Sequence, residues 1–299
     1  MIVNRINLTL IATAFNAAFR GGLGAAPSLY KRVATVVPST TGAEEYGWLG
    51  KFPKMREWIG DRVVHGMQNH GYTVKNKPFE LTVGVPRTTI EDDSYGVYTS
   101  MMTEMGQSAG EFPDELVFGL LAAGRTENCY DGKPFFSTSH QVLDATGKAK
   151  SQSNVDDDGN NGTPWYVLDT RRALKPLIFQ NRKSPTFVAK DKDTDDNVFD
   201  RGENVYGVDA RGNAGFGFWQ QAYSSNKTLN AANLKAAITA MTSRKGDNDR
   251  KLGINPDVLC VPSTLEFAAF ELVKSALVNG GETNPLAGRL EIVVCPWLD

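Results

Sequence analysis

Histidine and cysteine are scarce in this chain, three of each in 299 residues. Cys129, Cys260 and Cys295 are odd in number and far apart, which excludes a disulfide framework and a Cys-x-x-Cys metal site. Cys260 and Cys295 fall in apolar, strand-like runs and read as buried free thiols of a chain folded in a reducing cytoplasm. A basic excess is also lacking. Lys plus Arg is 32 against 34 for Asp plus Glu, a net charge of -2, whereas a dedicated nucleic-acid binder is strongly positive. No run approaches the ~20 apolar residues that cross a bilayer, so no membrane role is expected. Asn7, Thr9, Thr13 and Asn16 interrupt the apolar N-terminal stretch, which therefore does not read as a secretory signal. What remains is an ordinary globular balance, 41% hydrophobic and 22% charged, which excludes wholesale disorder. The length suits one elaborate domain or two lobes.

Ile2, Ile6, Leu10 and Ala14 recur every four residues and predict an amphipathic helix with that face inward. Gly21, Gly22, Gly24 and Pro27 are expected to end it and open an extended arm through Gly42. Tyr46 to Pro53 is aromatic and turn-rich. Strand patterns follow at Arg62–His65, Tyr72–Val74 and Phe79–Val83, the last alternating at period two, as in a projecting hairpin loop. From Ile90 to Arg125 the pattern is helical, with Tyr98, Met101, Met102, Met105, Leu116, Leu120 and Leu121 on its apolar positions. Gly110 and Pro113 are expected to break that helix. Pro113 would then open its second part, with Asp114 and Glu115 at the positive end of the dipole.

Residues 147–164 are polar and turn-forming, as in a surface loop. Strands are expected at Trp165–Leu168, Pro176–Phe179, Thr186–Ala189 and Phe216–Tyr223, with Asp191–Glu203 as a charged tip. The last third alternates helix and strand. Asn230 or Thr228 caps one helix, and Asp257–Val261 is a strand. Ser263 and Glu266 fit a capping box opening a helix to Leu277, and Leu290–Cys295 closes the chain as a strand.

Chemistry-bearing motifs fail on their context. Gly106-Gln107-Ser108-Ala109-Gly110 spells the nucleophile elbow of a serine hydrolase, but a helical pattern precedes it where that motif needs a strand. Asp191, Asp193 and Asp195 begin like an EF-hand, yet its required Gly and Glu are Asp196 and Gly202 here. His65 and His70 have no further ligand at metal spacing. Gly212, Gly215 and Gly217 lie between strands and suit close packing against rings, not a dinucleotide. No catalytic residue, cofactor or metal is therefore assigned. An arm, a ribbon and a compact lobe lacking catalytic chemistry favour an assembly protein, because arms and ribbons need neighbours to stabilise them.

Several blocks carry a specific resemblance. They are Pro38-Ser39-Thr40-Thr41, Tyr46 to Pro53, Glu57-Trp58-Ile59-Gly60, Glu91-Asp92-Asp93 and Pro113 to Phe118. Cys129-Tyr130-Asp131-Gly132, Lys175 to Gln180, Gly215 to Gln220 and Leu290 to Val294 complete the series. In this order and over essentially the whole chain they resemble the major head subunit family of phage Mu, the gpT family. The resemblance implies an α+β protein with the tailed-phage major-capsid fold of the Hong Kong ninety-seven type. It would have an N-terminal arm at 1–45, an extended loop at 46–88, a peripheral domain with a spine helix at 89–224, and an axial domain with the returning strand at 225–299.

The function implied is a non-enzymatic subunit that assembles, in the bacterial host cytoplasm, into the icosahedral virion shell around phage DNA. Hexamers and pentamers of the chain, a separate scaffold protein, a portal and a decoration protein are the implied partners, and double-stranded DNA would be enclosed without sequence reading. A nanocompartment shell of the same fold and a serine hydrolase using Ser108 are the alternatives. Trp48, Phe52 and Trp58 are the expected assembly anchors, since aromatics bury much area at low entropic cost. Arg56, Glu57, Asp61 and Arg62 are expected to set register by charge.

Overall fold

The computed structural model describes residues 5–47, 71–92, 96–157, 159, 162–192, 194–277 and 281–299. The expected strand Arg62–His65 and the pair His65 and His70 lie outside them. Helices among the described residues are α1 (Arg5–Ala25), α2 (Tyr30–Val33), α3 (Arg87–Glu91), α4 (Gly96–Ala122), α5 (Asp196–Arg201), α6 (Ala231–Thr242) and α7 (Glu266–Val273).

The first sheet has four strands in the order Ala34–Pro38, Leu177–Lys190, Glu203–Phe216, Lys77–Pro86. Its spine is a hairpin of two 14-residue strands. The expected strands Pro176–Phe179 and Thr186–Ala189 are one continuous element. Pro185, which cannot donate to the ladder, lies between them. The chain accommodates it by shifting register opposite Asp209 and Arg211, so the pairing resumes on either side. The hairpin ends in the expected charged tip, which winds into α5 and turns at Gly202 (φ 62°). The expected strand Phe216–Tyr223 does not form as one element, since Phe216 ends the long hairpin and Ala222 and Tyr223 open the strand Ala222–Ser225. Gly217 presses on the Lys175 and Pro176 carbonyls and donates to Pro176 O at 2.7 Å, and a 3-10 turn at Trp219–Gln221 follows. Gly212 and Gly215 do pack closely, as expected, against Gln180 O and the Val74 side chain.

The second sheet has five strands, ordered Glu291–Val294, Val258–Val261, Trp165–Leu168, Ala222–Ser225, Val155–Asp156. Both faces are covered, so the central strands Trp165–Leu168 and Val258–Val261 read as unbroken apolar runs rather than as alternation. Tyr166, Leu168, Val258 and Cys260 enter one core, while Trp165, Val167, Leu259 and Val261 enter the other with α6 and α7. Segments on both sides of residue 225 contribute strands to it. Cys129, Cys260 and Cys295 are buried free thiols.

Four helical and loop expectations change. First, α1 turns Leu8, Ile11, Phe15 and Phe19 inward and leaves Leu10 63% exposed. A strict four-residue spacing drifts about 40° per step around a 3.6-residue helix, so the three-and-four pattern wins. Second, α1 runs through Gly21, Gly22 and Gly24, and α4 is continuous for 27 residues through Gly110 and Pro113. The cost of an internal proline, roughly 3 kcal/mol, is offset by packing. Pro113, Val117, Phe118 and Leu121 are buried, and the Asp114 carboxylate accepts from Leu29 N at 3.1 Å and Tyr30 N at 2.5 Å. Third, the expected capping box is not made. Ser263 sits in a 3-10 turn, no side chain caps α7, and the helix stops at Val273. Fourth, residues 147–164 are not all loop. Ala149–Gln152 pairs with His140–Leu143, and Val155–Asp156 joins the second sheet. The Asn230 cap of α6 forms as expected, accepting from Asn233 N at 2.9 Å.

In the arm, Glu44 Oε1 accepts from Ser39 Oγ at 2.8 Å and from the Thr40 and Thr41 amides at 2.9 and 3.2 Å. The Ser39 hydroxyl first, then these amides, pull its carboxyl down to about 2. A carboxyl depressed in the folded state stabilises above its unfolded pKa and loses that contribution as pH falls through the folded value. The gap in unfolding midpoint between the parent and Glu44→Gln should therefore be full at pH 7 and shrink between about pH 4.5 and about pH 2. A denaturant series across that range checks it, and a gap constant with pH would refute it.

Candidate functional site

The polar centre of the structure is a joint between the two sheets. Arg244, at the end of α6, is fully buried. Its guanidinium donates to the carbonyls of Gln220 at 2.6 Å, Ala222 at 3.1 Å, Trp219 at 3.4 Å and Ser153 at 3.4 Å. Burial pulls its pKa down to about 10, so it remains a cation. The guanidinium lies 5.5 Å from the Trp219 ring centroid, and His140 stacks on the same ring at 4.0 Å. Asn154 ties the remaining strands together. It donates to Phe135 O and Trp219 O and accepts from Ser137 N.

His140 is itself bracketed. Nδ1 lies 2.6 Å from Asp131 Oδ2, and Nε2 lies 3.2 Å from Phe135 O. Cys129 Sγ donates to Asp131 Oδ1 at 3.1 Å. Burial alone would raise the Asp131 carboxyl, but the hydrogen bond and charge of His140 outweigh it and hold the carboxyl below its usual range. Burial, then the Asp131 charge, push the Cys129 thiol far up, so it is an inert hydrogen-bond donor at neutral pH. These three donor atoms lie within 4.8 Å of one another, close enough to hold a cation. Each already has a protein partner, and the cluster works as a clasp on the loop 123–140.

Ser108 lies mid-helix in α4 with no strand before it. Its flanking glycines serve packing. A Cβ on Gly106 would stand 2.0 Å from Phe19 O, and one on Gly110 would stand 2.4 Å from the Ala26 Cβ. The two best-formed concavities among the described residues are shallow depressions on the long hairpin, lined in part by Glu80, Thr82, Lys190 and Val205. No described helix is long and apolar enough to cross a membrane.

The expected assembly residues Trp48, Phe52, Arg56, Glu57, Trp58, Asp61 and Arg62 all lie outside the described residues. The structure instead draws attention to apolar side chains that sequence reasoning missed. Phe199 on the hairpin tip is 84% exposed and Phe267 on α7 is 80% exposed, with Phe270 beside it at 40%. A signal was present in the α7 sequence Glu-Phe-Ala-Ala-Phe-Glu-Leu-Val, which is apolar on more than one face.

A family model described as "Mu-like prophage major head subunit gpT" matches residues 8–298. The chain is 44% identical over 305 residues to the major capsid protein of Escherichia phage Mu, covering 100% of both. It is 46% identical over 269 residues to the Mu-like prophage FluMu major head subunit of Haemophilus influenzae, covering 88% of this chain and 87% of that one. Among solved structures, a chain of the bacteriophage JBD30 procapsid superposes with TM-score 0.88 at 46% identity, covering 99% and 100%. A chain of the JBD30 capsid decorated with minor capsid protein trimers gives TM-score 0.77 at 36% identity, covering 94% of each.

Proposed function

The chain belongs to the Mu-like gpT family of major head subunits, and from that membership we infer how its parts build a shell. It is a major capsid protein with the α+β capsid fold, a structural and non-enzymatic subunit of the virion shell. The observation that carries this is the match to JBD30 procapsid and capsid chains along the whole length.

We assign residues 1–45 to the arm, 46–88 to an extended loop, 89–224 to a peripheral domain with α4 as its spine, and 225–299 to the axial domain. The 27-residue length of α4 and its contact with α1 support the spine assignment. The extended loop would lie over a neighbouring subunit, with Trp48, Phe52 and Trp58 filling pockets there. Arg56, Glu57, Asp61 and Arg62 would set register on that neighbour. Axial lobes would meet head to tail in hexamers and pentamers, contacts of a kind that close into rings. Weak contacts become strong when many copies act together.

A separate scaffold protein, a portal and a decoration protein complete the proposed head. The JBD30 capsid with its minor capsid protein trimers supports the last of these by analogy. The net charge of -2 suits double-stranded DNA held by enclosure, not by base reading.

Electron microscopy of the chain expressed with the neighbouring head genes tests the assignment. Closed shells, or rings of five and six, are expected; a monodisperse monomer under every condition would overturn it. Trp58→Ala should reduce shell yield while leaving a soluble subunit with an unchanged far-ultraviolet spectrum. Normal shell yield from that variant would remove Trp58 from the anchor set.

A further inference from the structure

Residues 42–46 and 72–76 form a short antiparallel stem. Ala43–Glu45 pairs with Thr73–Lys75, and the ladder is extended at both ends, by Tyr46 N donating to Tyr72 O at 2.8 Å and Asn76 N donating to Gly42 O at 3.0 Å. The two ends of the stretch between Tyr46 and Tyr72 are therefore held side by side. Gly71 leads into the second strand of the stem at φ 62°, a left-handed conformation that glycine adopts without strain.

The stem lies across the root of the long hairpin, and one side chain fastens it there. Gln180 is fully buried in the strand Leu177–Lys190. Its side-chain oxygen accepts from Tyr46 Oη at 2.9 Å, and its amide nitrogen donates to Val74 O at 3.1 Å and to Asn76 Oδ1 at 2.8 Å. A single amide thus holds both sides of the stem, together with Asn76, the one residue between the stem and the edge strand Lys77–Pro86. Asn76 Nδ2 in turn donates to Ser39 Oγ at 2.8 Å and to Thr41 O at 2.9 Å. Phe216 N donates to Tyr72 Oη and Asn213 Nδ2 to Lys75 O, each at 2.8 Å. The bare backbone at Gly215 lets Val74 settle 2.7 Å from where a Cβ would stand. A buried amide with all its polar atoms engaged fixes one geometry, because any tilt leaves a group unpaired inside the fold.

We propose that Gln180 is a positioning residue for assembly: it fixes the base, and with it the direction, from which residues 48–70 reach toward a neighbouring subunit. This role rests on the reading of that segment as the extended loop, and Gln180 is the group that aims it. The stem alone could not do so, since a two-stranded ribbon is marginal in water without a partner surface. Ordering the base within the free subunit removes an entropic cost that each copy would otherwise meet on joining the shell. The effect recurs at every subunit, so a small change at one side chain becomes a large change in assembly.

Gln180→Met keeps the length and bulk of the side chain and removes its hydrogen bonds. In cells where the unaltered chain makes shells, this variant should lower shell yield about tenfold. The second measurement is made on the unassembled subunit. Spin labels on Thr73→Cys, exposed on the stem, and on Val188→Cys, exposed further along the hairpin, report the tilt of one against the other. The native thiols are all buried and stay unlabelled. The distance distribution should be narrow with Gln180 in place and about twice as wide in Gln180→Met. Normal shell yield from Gln180→Met would overturn the positioning role and leave the capsid reading standing. A lower yield with an unchanged distribution would also overturn it, since Gln180 would then act through stability alone. If the unaltered chain forms no shells, the capsid reading fails, and the positioning role with it.

Discussion

Arg244→Ala should lower the stability of the unassembled subunit by about 4 kcal/mol, the range for a buried charged group whose partners are left unpaired. The guanidinium serves four carbonyls from two stretches of chain, Ser153 and the run holding Trp219, Gln220 and Ala222. The guanidinium is shielded from solvent, with Arg244 only 5% exposed. Trp219 O keeps its bond from Asn154, but the other carbonyls lose a charged donor inside the fold, and the lost side chain adds a cavity beside Trp219. Arg244→Lys should recover less than half of the loss. A single ammonium cannot present the planar fork that reaches carbonyls on both stretches. Urea denaturation of the subunit kept below its assembly concentration checks both variants. An alanine variant with an unchanged midpoint would show that the joint relaxes around the gap.

Gly106→Val should cost about 3 kcal/mol or more, at or beyond the upper end of overpacking, and should free α1 from the body. The added Cβ would lie 2.0 Å from Phe19 O and 2.8 Å from Leu23 N, both backbone atoms of α1 that cannot rotate away. Relief requires moving the whole helix, and with it Phe15 and Phe19 from the core they share with Met102, Met105 and Tyr206. Limited proteolysis should then cut the arm first, near residues 26–29. Gly119→Ala on the same helix supplies the contrast. That position is exposed with nothing within 4 Å, so alanine there should stabilise by up to ~1 kcal/mol. Equal behaviour of the two substitutions would mean that glycine acts here through helix propensity and not through contact.

The pair illustrates what local patterns can and cannot carry. Gly22 and Gly110 looked like helix ends, because glycine is a poor helix former and nothing in one segment reveals the other. At Gly22, as at Gly106, the reason is the partner helix, whose backbone approaches too closely for any side chain, and Gly110 packs against the Ala26 side chain. Pro113 was likewise read as a break, and the strand through Pro185 was expected as two. In each case tertiary contacts of the surrounding residues outweigh one lost hydrogen bond, so the element continues. The Ser263–Glu266 spacing went the other way. It satisfies a local rule, but the chain takes a 3-10 turn there and the rule has no purchase. The joint of Cys129, Asp131, His140, Trp219 and Arg244 was invisible as a unit, since its members come from four separate stretches of chain.

By itself the sequence determined the composition class, the buried strands Trp165–Leu168 and Val258–Val261, the capped helix at Asn230 and the family. These depend on neighbours within a few residues, or on ordered blocks that survive without knowledge of their contacts. Only the tertiary structure decided which face of α1 is buried, where the long strands and α4 run unbroken, and which apolar side chains stay outside. Each of those is a competition between local preference and a contact made by residues tens to hundreds of positions away. Distant contacts win because burial and hydrogen bonding across the fold are worth more than one residue's conformational preference.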